Sequence, residues 1–142
     1  EYKKLSKKLN IKDKFFHNNF FSFQNMNNIK KKLTHKVINY NYSYFDKIFI
    51  FGFGVSGRTI FNILKNQNMK IDGFVDNDKN FINSVYFKRR IINPQSLTSI
   101  NLKKNNILVI ITEVEKSISR VMTKQLVGLG LKTKNIKIIN IS

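Results

Sequence analysis

The chain has 142 residues, 26 Lys and Arg against 8 Asp and Glu, a formal net charge of +18 and no cysteine. That length holds one domain with a real core and excludes a two-domain dehydrogenase, while the lack of cysteine excludes disulfides and thiolate metal sites and fits a reducing cytoplasm. The longest apolar runs, near 48–51 and 107–111, are far too short for a bilayer, and residues 1–14 carry lysines where a signal peptide needs an apolar stretch, so a soluble, cytoplasmic protein without a membrane span is expected.

A strongly basic chain ordinarily points to nucleic acid or an anionic membrane surface. Here 22 of the 26 cations are Lys and 4 are Arg, alanine is absent, and Asn and Ile each occur 20 times. Lys, Asn, Ile and Phe are the residues of A/T-rich codons, and the bidentate fork of arginine, which phosphate-reading surfaces favour, is scarce. The lysines are therefore read as solvated faces, and nucleic acid is not expected as a partner. Binding of nucleic acid or an acidic partner through the basic N-terminal segment is the alternative. The first residue is Glu1, which fits a processed chain or a piece of a longer protein.

In chain order, Tyr2, Leu5 and Leu9 fall on one face of a helix with Lys3, Lys4, Lys7 and Lys8 around it. FFHNNFFSFQNMNN at 15–28 combines five phenylalanines with five asparagines, and such rings call for packing on the following domain, on another subunit of a homo-oligomer, or on further chain. KKKL at 30–33 suits a second basic helix. From residue 47 the pattern becomes regular. IFIF at 48–51 reads as a strand covered on both faces, and Ile60, Phe61, Ile63 and Leu64 mark a helix running to about Gln67. KIDGFVDND at 70–78 gives a second strand ending in acids, and VYFKRRII at 85–92 a third strand or extended piece. In NPQSL, Asn93 can cap a helix that Pro94 begins. ILVIIT at 107–112 is a strand; Val114, Ile118, Val121, Met122, Leu126 and Leu129 then line one helix face, with Gly128 and Gly130 as its stop. IKIINI at 136–141 is a last strand. Strands alternating with helices in this way predict an α/β fold, a doubly wound parallel sheet of about five strands.

FIFGFGVSGRTIF at 49–61 carries the chemistry. Gly52 permits the tight turn after the strand, Gly54 leaves room for a phosphate at the backbone, and Gly57 lets the helix pack on the sheet. The N–H groups of Val55, Ser56 and Gly57 open a helix whose positive end favours an anion; the Ser56 hydroxyl and the Arg58 charge can add to it. Asp76 lies 19 residues after Gly57 (76 − 57), near the separation at which an acid meets a ribose hydroxyl. An aspartate there disfavours a 2′-phosphate and so favours NAD over NADP. Asp78 reads as a turn residue, and Asp76, Asn77 and Asp78 together also read as a plain polar turn. Thr112 and Glu113, at the end of the fourth strand, either line the site or cap the next helix. Lys88, Arg89 and Arg90 either meet a second phosphate or form a solvated loop. No Tyr-x-x-x-Lys pair occurs, and His17 and His35 precede the sheet without a spacing that suits a metal or a triad. A binding site is visible and a catalytic residue is not.

The ordered motifs IFIFGFGVSGRTIFNIL, IDGFVDND, RRIINPQSL, ILVIIT and KQLVGLGLKTKNI resemble the small Rossmann-like domains of bacterial surface-sugar enzymes. These accompany sialic-acid-type O-acyltransferases, nucleotide-sugar dehydratases and FkbM-type methyltransferases. The resemblance covers about residues 47–141. It divides the chain into a basic, aromatic-rich helical extension, 1–46, and a Rossmann-like nucleotide-binding domain, 47–142. It implies NAD or a nucleotide-sugar at Gly52, Gly54, Ser56 and Gly57, with Asp76 and Asn77 on the far side, in surface glycan or nucleotide-sugar biosynthesis. It also implies service to a linked or separate sugar-modifying enzyme; a fragment of an NAD-dependent oxidoreductase or dehydratase is the alternative. Phe53 stands where a small residue is usual and is expected to place bulk beside the phosphate path.

Overall fold

The computed structural model describes residues 23–100 and 105–140. The chain divides into two units, Glu1–His35 and Lys36–Ser142, and the glycine turn belongs to the second. Helix α1 (Phe23–Ile38) runs through the division and takes in the KKKL segment. The helix expected around Tyr2, Leu5 and Leu9 and the first four phenylalanines of the aromatic stretch lie outside the described residues.

The second unit is built on six strands: β1 (Lys47–Phe51), β2 (Gly73–Val75), β3 (Val85–Tyr86), β4 (Arg89–Ile92), β5 (Ile107–Glu113) and β6 (Ile136–Asn140). Their order is β3-β4-β2-β1-β5-β6. Every neighbouring pair is parallel except β3 with β4. The five parallel strands are the doubly wound set expected from the sequence. The order turns back on itself at β1, whose neighbours are β2 and β5, with Phe51 opposite both Val75 and Ile111. Right-handed crossovers in the two directions put helix α2 (Val55–Asn66) and helix α3 (Lys116–Gly128) on opposite faces of the sheet.

Alternation along β1 sorts the core into two layers. Phe49 and Phe51 pack with Val75, Leu97, Val109, Ile111 and Leu126 on the α3 face. Ile48 and Ile50 belong to the α2 face, where Phe61 packs on Phe74 with ring centroids 5.3 Å apart. The 3₁₀ segment Pro94–Ser99 is capped by Asn93, whose side chain accepts the Ser96 N–H at 2.8 Å, as its sequence predicts.

Two expectations change. VYFKRRII is a hairpin rather than one strand: β3 and β4 are joined by Phe87 and Lys88, at φ 46° and 63°. Positive φ at both positions is the geometry of the tight turns that match strand twist, though such turns usually employ Asn and Gly. The second change concerns α3. Of its expected core face, Leu126 is buried and Met122 and Leu129 half-buried, whereas Ile118 and Val121 are 51% and 66% exposed and Val114, before the helix, is 61% exposed. The buried arc centres on Ser119 and Leu126, so Ile118 and Val121 turn to one side of the contact with the sheet.

Among the described residues one ion pair forms, Lys70 with Asp72 at 3.7 Å. No helix among them is long and apolar enough to cross a membrane.

Candidate functional site

The site starts where β1 stops. Gly52 donates its N–H to the Val75 carbonyl at 2.6 Å and adopts φ +109°, a backbone state that side chains rarely tolerate. The turn brings the chain back so closely that a Cβ on Gly57 would lie 1.9 Å from the Gly52 oxygen. Gly57 is therefore demanded by the strand–helix junction itself. Gly54 is different. Its φ of −88° and ψ of −169° are ordinary extended backbone, and a Cβ placed on it meets nothing within 4 Å. The protein's own packing has no use for a missing side chain there, which leaves open space over the turn.

That space adjoins the start of α2. The helix has no side-chain cap and no acid in its first turn. The orphan N–H groups of its first turn, with Val55 exposed and Ser56 half-buried, are thus left without the partner a capping side chain provides. Thr112 lies one residue beyond the level at which Ile111 faces Phe51, and strand alternation puts it on the α2 face, at the foot of this helix start.

The turn is anchored from β2. Asp76 accepts the Phe53 N–H through Oδ2 and the Asp78 N–H through Oδ1, both at 2.7 Å. Its carboxylate thus performs the turn role and braces the glycine loop at once, so a ligand hydroxyl would share it with these two donors. Asp78 accepts the Asn80 N–H at 2.9 Å, the expected turn contact.

Other candidates are placed elsewhere. Asn77 exchanges two hydrogen bonds with Gln125 of α3, at 3.0 and 2.9 Å. Arg58 folds back, with Nε 3.3 Å from the Gly54 carbonyl and Cζ 5.4 Å from the centroid of the Phe53 ring. Glu113 accepts the Ser119 hydroxyl at 2.8 Å and so ties α3 to β5. Lys88, Arg89 and Arg90 do not act as a cluster: Lys88 is in the hairpin turn, Arg89 donates to the Ile71 carbonyl at 3.1 Å, and Arg90 lines a separate cleft with Asn93 and Ser96. That cleft, about 440 Å³ between Phe49 and Ile100, touches no residue of the glycine turn.

Phe53 also has a packing role. Its ring packs edge-on against Phe74, Phe81 and Tyr86, with centroids 5.1, 5.5 and 5.2 Å away. It joins the aromatic layer on the α2 side, with the Arg58 guanidinium beside it. Gln125, by contrast, carries no signal of its own in the sequence, although it falls at helical spacing from Ile118 and Val121 on α3.

A parallel sheet that reverses at β1, with a glycine turn running into an uncapped helix, defines a Rossmann-like domain. The chain matches the family described as C2185-like, N-terminal, over residues 44–139, and it belongs to that family. No curated protein matches it in sequence. Three solved structures share its fold. RSP in complex with beta-NADH aligns with a TM-score of 0.51 at 13% identity, over 68% of this chain and 53% of that one. RSP, a Rex-family repressor, aligns with a TM-score of 0.51 at 14% identity, over 99% of this chain and 74% of that one. RSP in complex with beta-NAD+ and operator DNA aligns with a TM-score of 0.50 at 13% identity, over 66% and 49%. The chain thus spans about half the length of RSP in the two complexes.

These matches agree with the Rossmann-like part of the resemblance and lend nothing to its surface-sugar part. They also correct the expectation against nucleic acid. The fold occurs in a protein held with operator DNA and NAD+ together, so a nucleotide-type sheet does not set DNA aside.

Proposed function

We propose that residues 47–142 form a dinucleotide-binding domain that holds NAD, with the pyrophosphate over Gly54 and the start of α2. The observation that carries this reading is the empty space at Gly54, beside helix N–H groups that no side chain caps. A phosphate there accepts those N–H groups and sits at the positive end of the helix dipole. Ser56 and Thr112 flank it, and Asp76 takes a ribose hydroxyl on its outward side. The RSP structures with beta-NADH and beta-NAD+ support the choice of ligand. A nucleotide-sugar shares the diphosphate and the ribose and is the competing ligand. Residues 1–46 are an extension to this domain.

Calorimetric titration of the full chain with NAD+, NADH and UDP-glucose tests the reading. NAD+ or NADH binds to wild type and weakens at least tenfold in Gly54→Val, a loss of about 1.4 kcal/mol or more. Absence of binding, or unchanged binding in Gly54→Val, overturns it; tighter binding of UDP-glucose transfers the site to nucleotide-sugars.

DNA is a second reading, favoured by a net charge of +18 and by the complex of RSP with operator DNA. Electrophoretic shifts over a salt series test it, since phosphate contacts weaken steeply as salt rises.

A further inference from the structure

Among the described residues, the crossover from β4 to β5 carries a 3₁₀ segment of six residues, Pro94–Ser99, in place of a full helix. A segment that short covers only part of the sheet face beside it, and the cleft of about 440 Å³ lies in what it leaves uncovered. Its floor is on the α3 face. Phe49, Gly73 and Arg90 stand in register on β1, β2 and β4, so their side-chain positions share that face. Gly73 makes room there, since a Cβ on it would come 3.3 Å from the Phe49 ring. The sheet itself stands between this floor and helix α2, whose start belongs to the glycine turn.

The lining suits an anion at one end and an apolar body at the other. It contains no acid. Arg58 and Arg89 are committed to backbone carbonyls and aromatic rings. The Arg90 guanidinium, by contrast, has no hydrogen bond, ion pair or ring contact among the described residues. Asn93 accepts both the Ser96 N–H at 2.8 Å and the Ser96 hydroxyl at 2.9 Å through one oxygen. That fixes its carboxamide and leaves the amide N–H donors without a partner among the described residues. Phe49, Ile82, Ile92 and Ile100 supply the apolar part.

We infer that this cleft is a second ligand site, for a small carboxylic acid with an apolar body. The carboxylate meets the Arg90 guanidinium and the Asn93 amide, and the body lies against Phe49, Ile82, Ile92 and Ile100. The inference is independent of the dinucleotide reading. A carboxylate is planar and presents two acceptor oxygens to the guanidinium fork, a match that an ammonium cannot give. The volume falls within the roughly 300–1,000 Å³ of small-molecule sites, and the apolar lining gives a bare inorganic anion nothing to bury.

Titration of the full chain with acetate, hexanoate, benzoate and inorganic phosphate, followed by backbone amide NMR, tests this. Hexanoate or benzoate shifts the amides of Asn83, Asn93 and Ser96 saturably, and acetate, which lacks the body, binds at least tenfold more weakly. Arg90→Gln, at an exposed position whose side chain holds nothing else, weakens hexanoate and benzoate about tenfold. Arg90→Lys keeps the charge without the fork and loses less. Saturating NAD+ leaves both acids bound as before. Spectra of the unliganded variants that overlay on wild type separate lost binding from lost fold. The inference is overturned if neither acid moves those amides, if Arg90→Gln binds them as wild type does, or if phosphate or acetate binds as tightly as hexanoate. Displacement of the acids by NAD+ also overturns it and makes the cleft part of the dinucleotide site.

Discussion

The Asp76 carboxylate holds the Phe53 N–H at 2.7 Å, and through it the loop that follows β1 is tied to the loop that follows β2. The same side chain receives the Asp78 N–H at 2.7 Å. Two charge-assisted bonds make this residue a brace before any ligand arrives. Asp76→Asn, which keeps one acceptor, costs about 1 kcal/mol of stability, and Asp76→Ala, which keeps none, about 2–3 kcal/mol. Urea denaturation of both variants checks the order. Equal stability in Asp76→Ala and wild type contradicts the bracing role.

Gly54 and Gly57 respond differently to one methyl group. Gly57→Ala drives a Cβ into the Gly52 oxygen, 1.9 Å away, and destabilises the domain by about 3 kcal/mol or more. Gly54→Ala meets nothing within 4 Å and loses only what a poorer N-cap costs, about 1 kcal/mol. Paired thermal melts measure the contrast, and a large loss in Gly54→Ala counts against open space over the turn.

Phe53 supports the fold through its ring contacts. Phe53→Ala removes three edge-on ring contacts and lowers stability by about 2–3 kcal/mol, without strengthening dinucleotide binding. Tighter NAD+ binding by the variant would show that the ring does occupy the phosphate path.

Tyr42 makes stability sensitive to alkali. Burial first, and the neighbouring Tyr40 second, push its phenol from 10.0 up to about 12, and its hydroxyl donates to the Val37 carbonyl. Below pH 10 the phenol is protonated whether the chain is folded or not, and its contribution is constant. Between pH 10 and about 12 the unfolded chain releases the proton that the fold retains, so stability falls as pH rises. Tyr42→Phe is less stable at pH 8 for want of the hydrogen bond, and its deficit shrinks toward pH 12. Denaturation curves at both ends of the range test this; a constant deficit contradicts it.

The strand–turn–helix unit was legible because its signals are local. An apolar run, three glycines and a helical repeat specify it without distant partners, and the parallel sheet follows from such units in succession. The β3–β4 hairpin was hidden, because Phe87 and Lys88 lack the Asn-Gly chemistry that announces a two-residue turn. Helical periodicity placed Ile118 and Val121 on the same arc as Leu126, but the centre of the buried arc depends on how α3 lies on the sheet. Asn77 with Gln125, and Asp76 with Phe53, are pairings across 48 and 23 residues, which no spacing rule supplies.

Among the described residues Lys70 and Asp72 form the one ion pair, which bears on how the protein behaves in solution. With 26 cationic side chains against 8 acidic ones, most positive charge meets only other positive charge. Added salt screens that mutual repulsion, so the melting temperature climbs from low ionic strength toward about 0.2 M, a range in which the screening length shrinks to less than 10 Å. Multivalent anions shift it further than chloride, and the protein is best handled in phosphate or sulfate buffers.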